Sequence, residues 1–117
     1  MTKYEQRRVD AMLKLGCPFC AVLGIVNTAT DLHHIVEGNR RLGDWFTLFV
    51  CPGHHRGAWT PEQKQILTPE QQIGIYSGSK AFEPIYGTER EMWTKIQRRL
   101  KLPAIWAPSK ILPRDVA

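Results

Sequence analysis

Apolar and polar positions along this chain follow two periods, and together they divide it into helices and strands. In residues 3 to 15, KYEQRRVDAMLKL, Tyr4, Val9, Met12 and Leu13 recur at near-helical spacing with charges between them. This predicts a first helix, stopped by Gly16. Its basic residues, Lys3, Arg7, Arg8 and Lys14, form a side that suits a phosphate backbone or, equally, an ordinary solvated face. Residues 21 to 30 read as loop or a short hairpin. Asp31 to Val36 and Trp45 to Val50 are short apolar or β-branched runs, with the turn formers Gly38, Asn39 and Gly43 between them. They predict two strands joined by a loop of about eight residues, longer than a tight hairpin.

The second half is mostly helical in pattern. After Cys51-Pro52-Gly53 the chain is expected to enter a helix near His54, limited by Gly57 and Pro61. Thr60-Pro61-Glu62-Gln63 reads as an N-cap with Pro at the first helical position, predicting a helix over 61–67. Residues 73 to 80 read as loop, and Ala81 to Tyr86 as one or two helical turns stopped at Gly87. Thr88 with Glu91 fits a capping box that opens a helix over 89–101. Met92, Trp93, Ile96 and Leu100 share one side of it and read as core. Its basic residues, Lys95, Arg98, Arg99 and Lys101, suit the helix dipole without any ligand. Beyond Leu102, three prolines predict an extended tail, with Trp106 and Ile111 packing on the domain or on a partner. The expected organisation is one domain over 1–101 and a Pro-rich tail over 102–117.

Size and charge sharpen this picture. A chain of 117 residues buries roughly two thirds of its unfolded surface, so a metal staple would help it. A net charge of +5 suits a polyanionic partner or simply a soluble basic surface. No apolar run approaches the ~18 residues of a membrane span. The opening MTKYEQRRVD lacks the apolar core of a secretory signal, so a cytoplasmic location is expected. Three cysteines cannot all pair, and their spacing suits zinc in a reducing compartment better than disulfides.

The candidate chemistry is concentrated between residues 17 and 55, where all three cysteines and all four histidines lie. Cys17, Cys20, Cys51 and His54 have the C-x2-C … C-x2-H spacing of a closed structural zinc site. The plainer alternative is buried thiols beside an unrelated histidine pair. His33, His34 and His55 remain. Adjacent strand residues point to opposite faces, so His33 and His34 do not readily bind one ion together. They suit two roles instead, one holding a metal and the other activating water. His55, beside a zinc ligand at a helix start, can point back at the strand, and the helix N-terminus there would suit a phosphate.

This arrangement resembles the HNH, or ββα-metal, nuclease finger. His33-His34-Ile35 matches its strand with an adjacent ligand and base, and Cys51-Pro-Gly-His-His-Arg-Gly57 its knuckle and helix. More closely, GCPFC, DLHHIVEG, DWFTLFVCPGHHRG and KAFEPIYGTE resemble the phage recombination-enhancement (Ref) nucleases, which cut DNA directed by a RecA recombinase filament. The resemblance implies an α+β fold: a small zinc-stapled domain with a ββα-metal finger and flanking helices. It implies His33 and His55 as ligands of a catalytic Mg²⁺ or other divalent ion, and His34 as general base. The chain departs from the pattern at Trp59, where a further ligand is common, and at Tyr76, where relatives often carry His. The central Asn is missing, and Asp44 is the nearest polar candidate to complete the metal site or to orient a histidine. Arg40, Arg41 and Arg56 flank the site as candidate backbone contacts.

The expected function is therefore a metal-dependent DNA endonuclease with a structural Zn²⁺ and DNA and a RecA-type filament as partners. Trp59 and Tyr76 support a rival reading, a zinc-containing nucleic-acid or protein-binding module without catalysis. A third reading commits every cysteine and histidine to zinc.

Overall fold

The run Thr47-Leu48-Phe49-Val50 forms a strand whose four residues are all buried, and the other elements pack around it. The computed structural model describes residues 1–107. In chain order the elements are α1 (Lys3–Leu15), α2 (Pro18–Val22), β1 (Asp31–His34), β2 (Val36–Glu37), β3 (Arg40–Arg41), β4 (Thr47–Val50), α3 (Pro52–Arg56), α4 (Pro61–Ile66), α5 (Ser79–Tyr86) and α6 (Glu89–Leu100). Single 3₁₀ turns lie at Ile75–Ser77 and Ala104–Trp106. Among these residues no helix is long and apolar enough to cross a membrane.

β4 pairs antiparallel with β1, setting His33 opposite Leu48 and His34 opposite Thr47. The two expected strands are thus present, but the joining segment is not a plain loop. β2 and β3 form a second small hairpin inside it, with Val36 opposite Arg41 and Glu37 opposite Arg40. Gly38 and Asn39 both take positive φ, 57° and 63°, the backbone twist that matches a tight hairpin turn.

Helix ends follow their capping residues. Thr2 and Glu5 form a capping box at the start of α1, and Thr88 and Glu91 form the one predicted for α6. Gly16 ends α1 with φ of 78°. A Cβ there would lie 2.5 Å from the Asn27 carbonyl oxygen, so only glycine fits. The helix expected near His54 begins earlier, at Pro52, because the Cys51 sulfur caps it by accepting from the His54 N–H. Both histidines therefore lie inside a five-residue helix rather than at its first position. Its backbone His55 N–H already donates to the Cys51 carbonyl, 2.9 Å away. Ahead of it Pro52 has no N–H and that of His54 goes to the Cys51 sulfur, so this helix start leaves few free donors for a phosphate.

The core joins α1, β4 and α6 through Val9, Met12, Leu48, Met92, Trp93 and Ile96. Trp93 is fully buried, stacks on Phe46 at 4.9 Å and donates to the Trp45 carbonyl at 3.1 Å. The tail does not simply extend. Trp106 stacks on Tyr4 at 5.0 Å, with the Arg7 guanidinium over its ring. Ile111 lies outside the described residues.

Arg8 corrects the expectation of a basic, phosphate-facing side of α1. It is fully buried. Its Nε donates to Gln97, and its Nη1 donates to the Thr47 carbonyl and hydroxyl, both at 3.0 Å. Its guanidinium lies 5.8 Å from the ring centres of both Trp45 and Trp93. Burial pushes its pKa down to about 9. Desolvation is offset here by hydrogen bonds and ring faces rather than by a carboxylate. Arg8→Ala is expected to destabilise the fold by about 3 kcal/mol, combining a cavity with lost hydrogen bonds. Arg8→Met, which keeps volume and removes the buried charge, should recover at least half of that in urea melts. An unchanged midpoint in Arg8→Ala would contradict the core role.

Candidate metal centre and active site

Two knuckles meet at the end of β4. The first is Cys17, which caps α2 with Pro18 as the first helical residue and Cys20 within the turn. The second is Cys51, which caps α3 in the same way, with His54 within the turn. In both, the capping sulfur accepts a backbone N–H three residues on, Cys20 to Cys17 at 3.5 Å and His54 to Cys51 at 3.4 Å. All four side chains are buried, and one ligand atom from each lies within 4.8 Å of the others. This is the expected Cys17, Cys20, Cys51 and His54 set.

The spacing tests whether zinc fits. With Zn–S of 2.3 Å and Zn–N near 2.0 Å, a tetrahedron has S···S edges of about 3.8 Å and S···N edges of about 3.6 Å. The Cys20–Cys51 sulfurs lie 3.7 Å apart, and His54 Nδ1 lies 3.2, 3.5 and 3.8 Å from Cys51, Cys20 and Cys17. The cysteines are free rather than disulfide-bonded. The neighbouring Cys17 and Cys51 thiols, together with burial, push the Cys20 thiol up. Three sulfurs in one buried pocket resist becoming anions together, and a dication removes that resistance. The set fits zinc.

A polar layer surrounds the ligands. His54 Nε2 lies 2.9 Å from the Tyr86 hydroxyl, which donates to the Gln71 carbonyl at 2.8 Å. With Nδ1 facing the sulfurs, Nε2 carries the proton and donates to Tyr86. Burial, and then the charge of the three cysteines, raises the Tyr86 pKa, so it stays a neutral hydroxyl. Trp59 packs edge-on against the His54 ring at 4.9 Å, and its indole N–H donates to Tyr76 at 3.4 Å. A Cβ on Gly53 would lie 2.2 Å from the Trp59 ring. The two aromatics that stand where histidines were sought thus cover the zinc-side helix.

The remaining histidines lie where β1 meets α3. The His33 and His55 rings are 5.1 Å apart, edge to face. His33 Nε2 donates to Glu89, the first residue of α6. His55 Nδ1 lies 3.3 Å from Asp31, which also accepts from Arg56 at 3.0 Å. Arg56, then His55, hold the Asp31 carboxyl below its ordinary value. This link therefore persists into mildly acid solution and is lost as pH falls through that lowered value. His34 Nε2 lies 3.2 Å from Asp44. Among the described residues no hydrogen bond or ring contact joins His34 to His33 or His55. The side chains of His33, His34 and His55 are 15 %, 22 % and 27 % exposed, anchored yet reachable from solvent.

The predicted residues are thus sorted into distinct groups. His33 and His55 come together, and Asp44 comes to His34 rather than to that pair. Arg40 and Arg41 are exposed on β3, while Arg56 is exposed but engaged with Asp31. Among the described residues, the cysteine-histidine set is the one group of three or more potential ligands close enough to share an ion. That speaks against committing every histidine to zinc. Sequence reasoning missed Asp31, Glu89 and Tyr86. Asp31 was within reach, because it precedes His33 by two and so shares its strand face. Glu89 and Tyr86 lie far along the chain and had no local signal.

Residues 1–101 match the family described as recombination enhancement, RecA-dependent nuclease. That span takes in α1 to α6, both knuckles and every histidine. The chain belongs to the family of recombination-enhancement, RecA-dependent nucleases.

Proposed function

We propose that the protein is a metal-dependent DNA endonuclease of the HNH type, directed to its substrate by a RecA recombinase filament. The observation that carries the reading is the strand–helix junction. There His33 and His55 converge at 5.1 Å, with His34 next along the strand and held by Asp44. Membership of the RecA-dependent nuclease family supports it.

In this mechanism a water attacks the scissile phosphorus and His34 takes its proton. A P–O bond forms to the water oxygen as the bond to the leaving sugar oxygen breaks. Asp44 orients the imidazole and offsets the charge it gains. His33 and His55 would hold a hard divalent ion such as Mg²⁺. Its charge would favour the phosphorane-like state and the departing oxygen. Arg40, Arg41 and Arg56 supply contacts to the DNA backbone that carry little sequence information. A RecA partner implies action in the cytoplasm of a bacterial cell, a phage host included.

The test is cleavage of plasmid and single-stranded DNA in Mg²⁺ or Mn²⁺, with and without a RecA filament. Cleavage that depends on both the ion and the filament is expected. A specific observation favours one rival: Trp59 and Tyr76, which bond to each other, stand where the family resemblance leads one to expect further ligands. A zinc-containing binding module built this way would retain DNA, or a protein partner, and cleave nothing under any of these conditions.

A further inference from the structure

We propose that Glu89 is a positioning residue of the candidate active site, acting through the His33 imidazole. The inference rests on the endonuclease reading for its consequence, but its geometry stands alone. Each of the three histidines outside the zinc set has its own carboxylate: Glu89 on His33, Asp44 on His34 and Asp31 on His55. Asp31 and Asp44 are near in sequence to β1. Glu89 arrives from the start of α6, 56 residues beyond its partner.

The helix start does not explain that side chain. Thr88 and Glu91 form the capping box, which leaves the Glu89 carboxylate free to cross to β1. The helix that carries it is firmly seated. Trp93, one turn on, is fully buried and donates to Trp45, and Arg90 binds Glu37 of the small hairpin. Glu89 is therefore delivered by a core element to a site built on a short strand.

A neutral imidazole has one N–H and one lone pair. A carboxylate on Nε2 of His33 keeps the proton there and leaves Nδ1 as the electron-donating nitrogen. Asp31, on Nδ1 of His55, selects the opposite tautomer and leaves Nε2. Two rings 5.1 Å apart thus present unlike nitrogens, each fixed by a carboxylate behind it. In Glu89→Ala the carboxylate that locks the His33 proton on Nε2 is gone, and the ring falls back on the weaker intrinsic balance of a free imidazole, a mixture of both tautomers. A purely structural role, a first-turn acid favourable to the helix dipole, predicts no such change.

The experiment uses the full chain, zinc-loaded and with ¹⁵N-labelled histidine, in the wild type, Glu89→Gln and Glu89→Ala. Long-range ¹H–¹⁵N spectra in mildly alkaline solution read the tautomer of each ring. Titration with Mn²⁺ alone reads ion affinity. In the wild type His33 is expected as the Nε2–H form. In Glu89→Ala it becomes a mixture, His34 and His55 are unmoved, and Mn²⁺ affinity falls about 10- to 100-fold. Glu89→Gln, which keeps shape and an acceptor oxygen, should fall between. An unchanged His33 tautomer with Mn²⁺ affinity within about twofold in both folded variants would overturn the proposal, even if cleavage persisted. Conversely, a wild type that cleaves no DNA would remove the endonuclease reading, while the tautomer spectra would still decide the Glu89–His33 link.

Discussion

His34→Ala is expected to reduce DNA cleavage by about 10²- to 10⁴-fold, the usual contribution of a positioned general base. Zinc content and DNA retention should be unchanged. The separation follows from where His34 sits. It lies on β1 opposite Thr47, with Asp44 at 3.2 Å, and it belongs to neither the cysteine-histidine set nor the His33–His55 pair. The His34 ring is 22 % exposed and is not part of the buried hydrophobic core. The check is a single-turnover rate in Mn²⁺ beside a zinc assay and a DNA-binding isotherm. Cleavage at the wild-type rate would take His34 out of the mechanism. A loss of zinc or of folding alongside activity would assign it a structural part instead.

Cys51→Ser is expected to lose the zinc and lower the melting temperature by at least about 15 °C, since metal binding at such a site is folding energy and each ~1 kcal/mol moves a small domain by several degrees. Cys51 is fully buried, caps α3 and takes the His54 N–H at 3.4 Å. Gln63 Nε2 also faces its sulfur at 3.6 Å. The same short helix carries His55, so the loss should reach the candidate active site as well. Excess Mg²⁺ should not restore cleavage to this variant, because the fault is in the scaffold. A variant that melts like the wild type would show that the cluster does not hold the fold together.

Much of the architecture was legible because it depends on neighbours in sequence. The 3.6-residue period of α1, the Thr88 capping box and the positive-φ glycine after Leu15 act over three or four residues. So do the paired ligands of each knuckle, Cys17 with Cys20 and Cys51 with His54. Where the reading failed, the deciding contact was distant. Arg8 looks like one basic residue among several on α1, yet Trp45, Thr47, Trp93 and Gln97 converge to bury it. The segment after β1 looked like a loop because two-residue strands leave no period to detect.

The sequence alone determined that Cys17, Cys20, Cys51 and His54 form a set able to hold a metal, and which histidines lie outside it, because ligand spacing within a knuckle is a local property of the chain. It also determined the two pairing strands and the helix that follows them. The strand period already separated His33 from His34, but only the tertiary structure decided what holds each histidine. The strand's pleat sends His33 and His34 to different partners. The packing of α6 brings Glu89 across to His33, and the Cys51 cap starts α3 early enough to set His55 against Asp31. Glu89 reaches His33 through space from an element 56 residues further along the chain, and no local pattern encodes that contact.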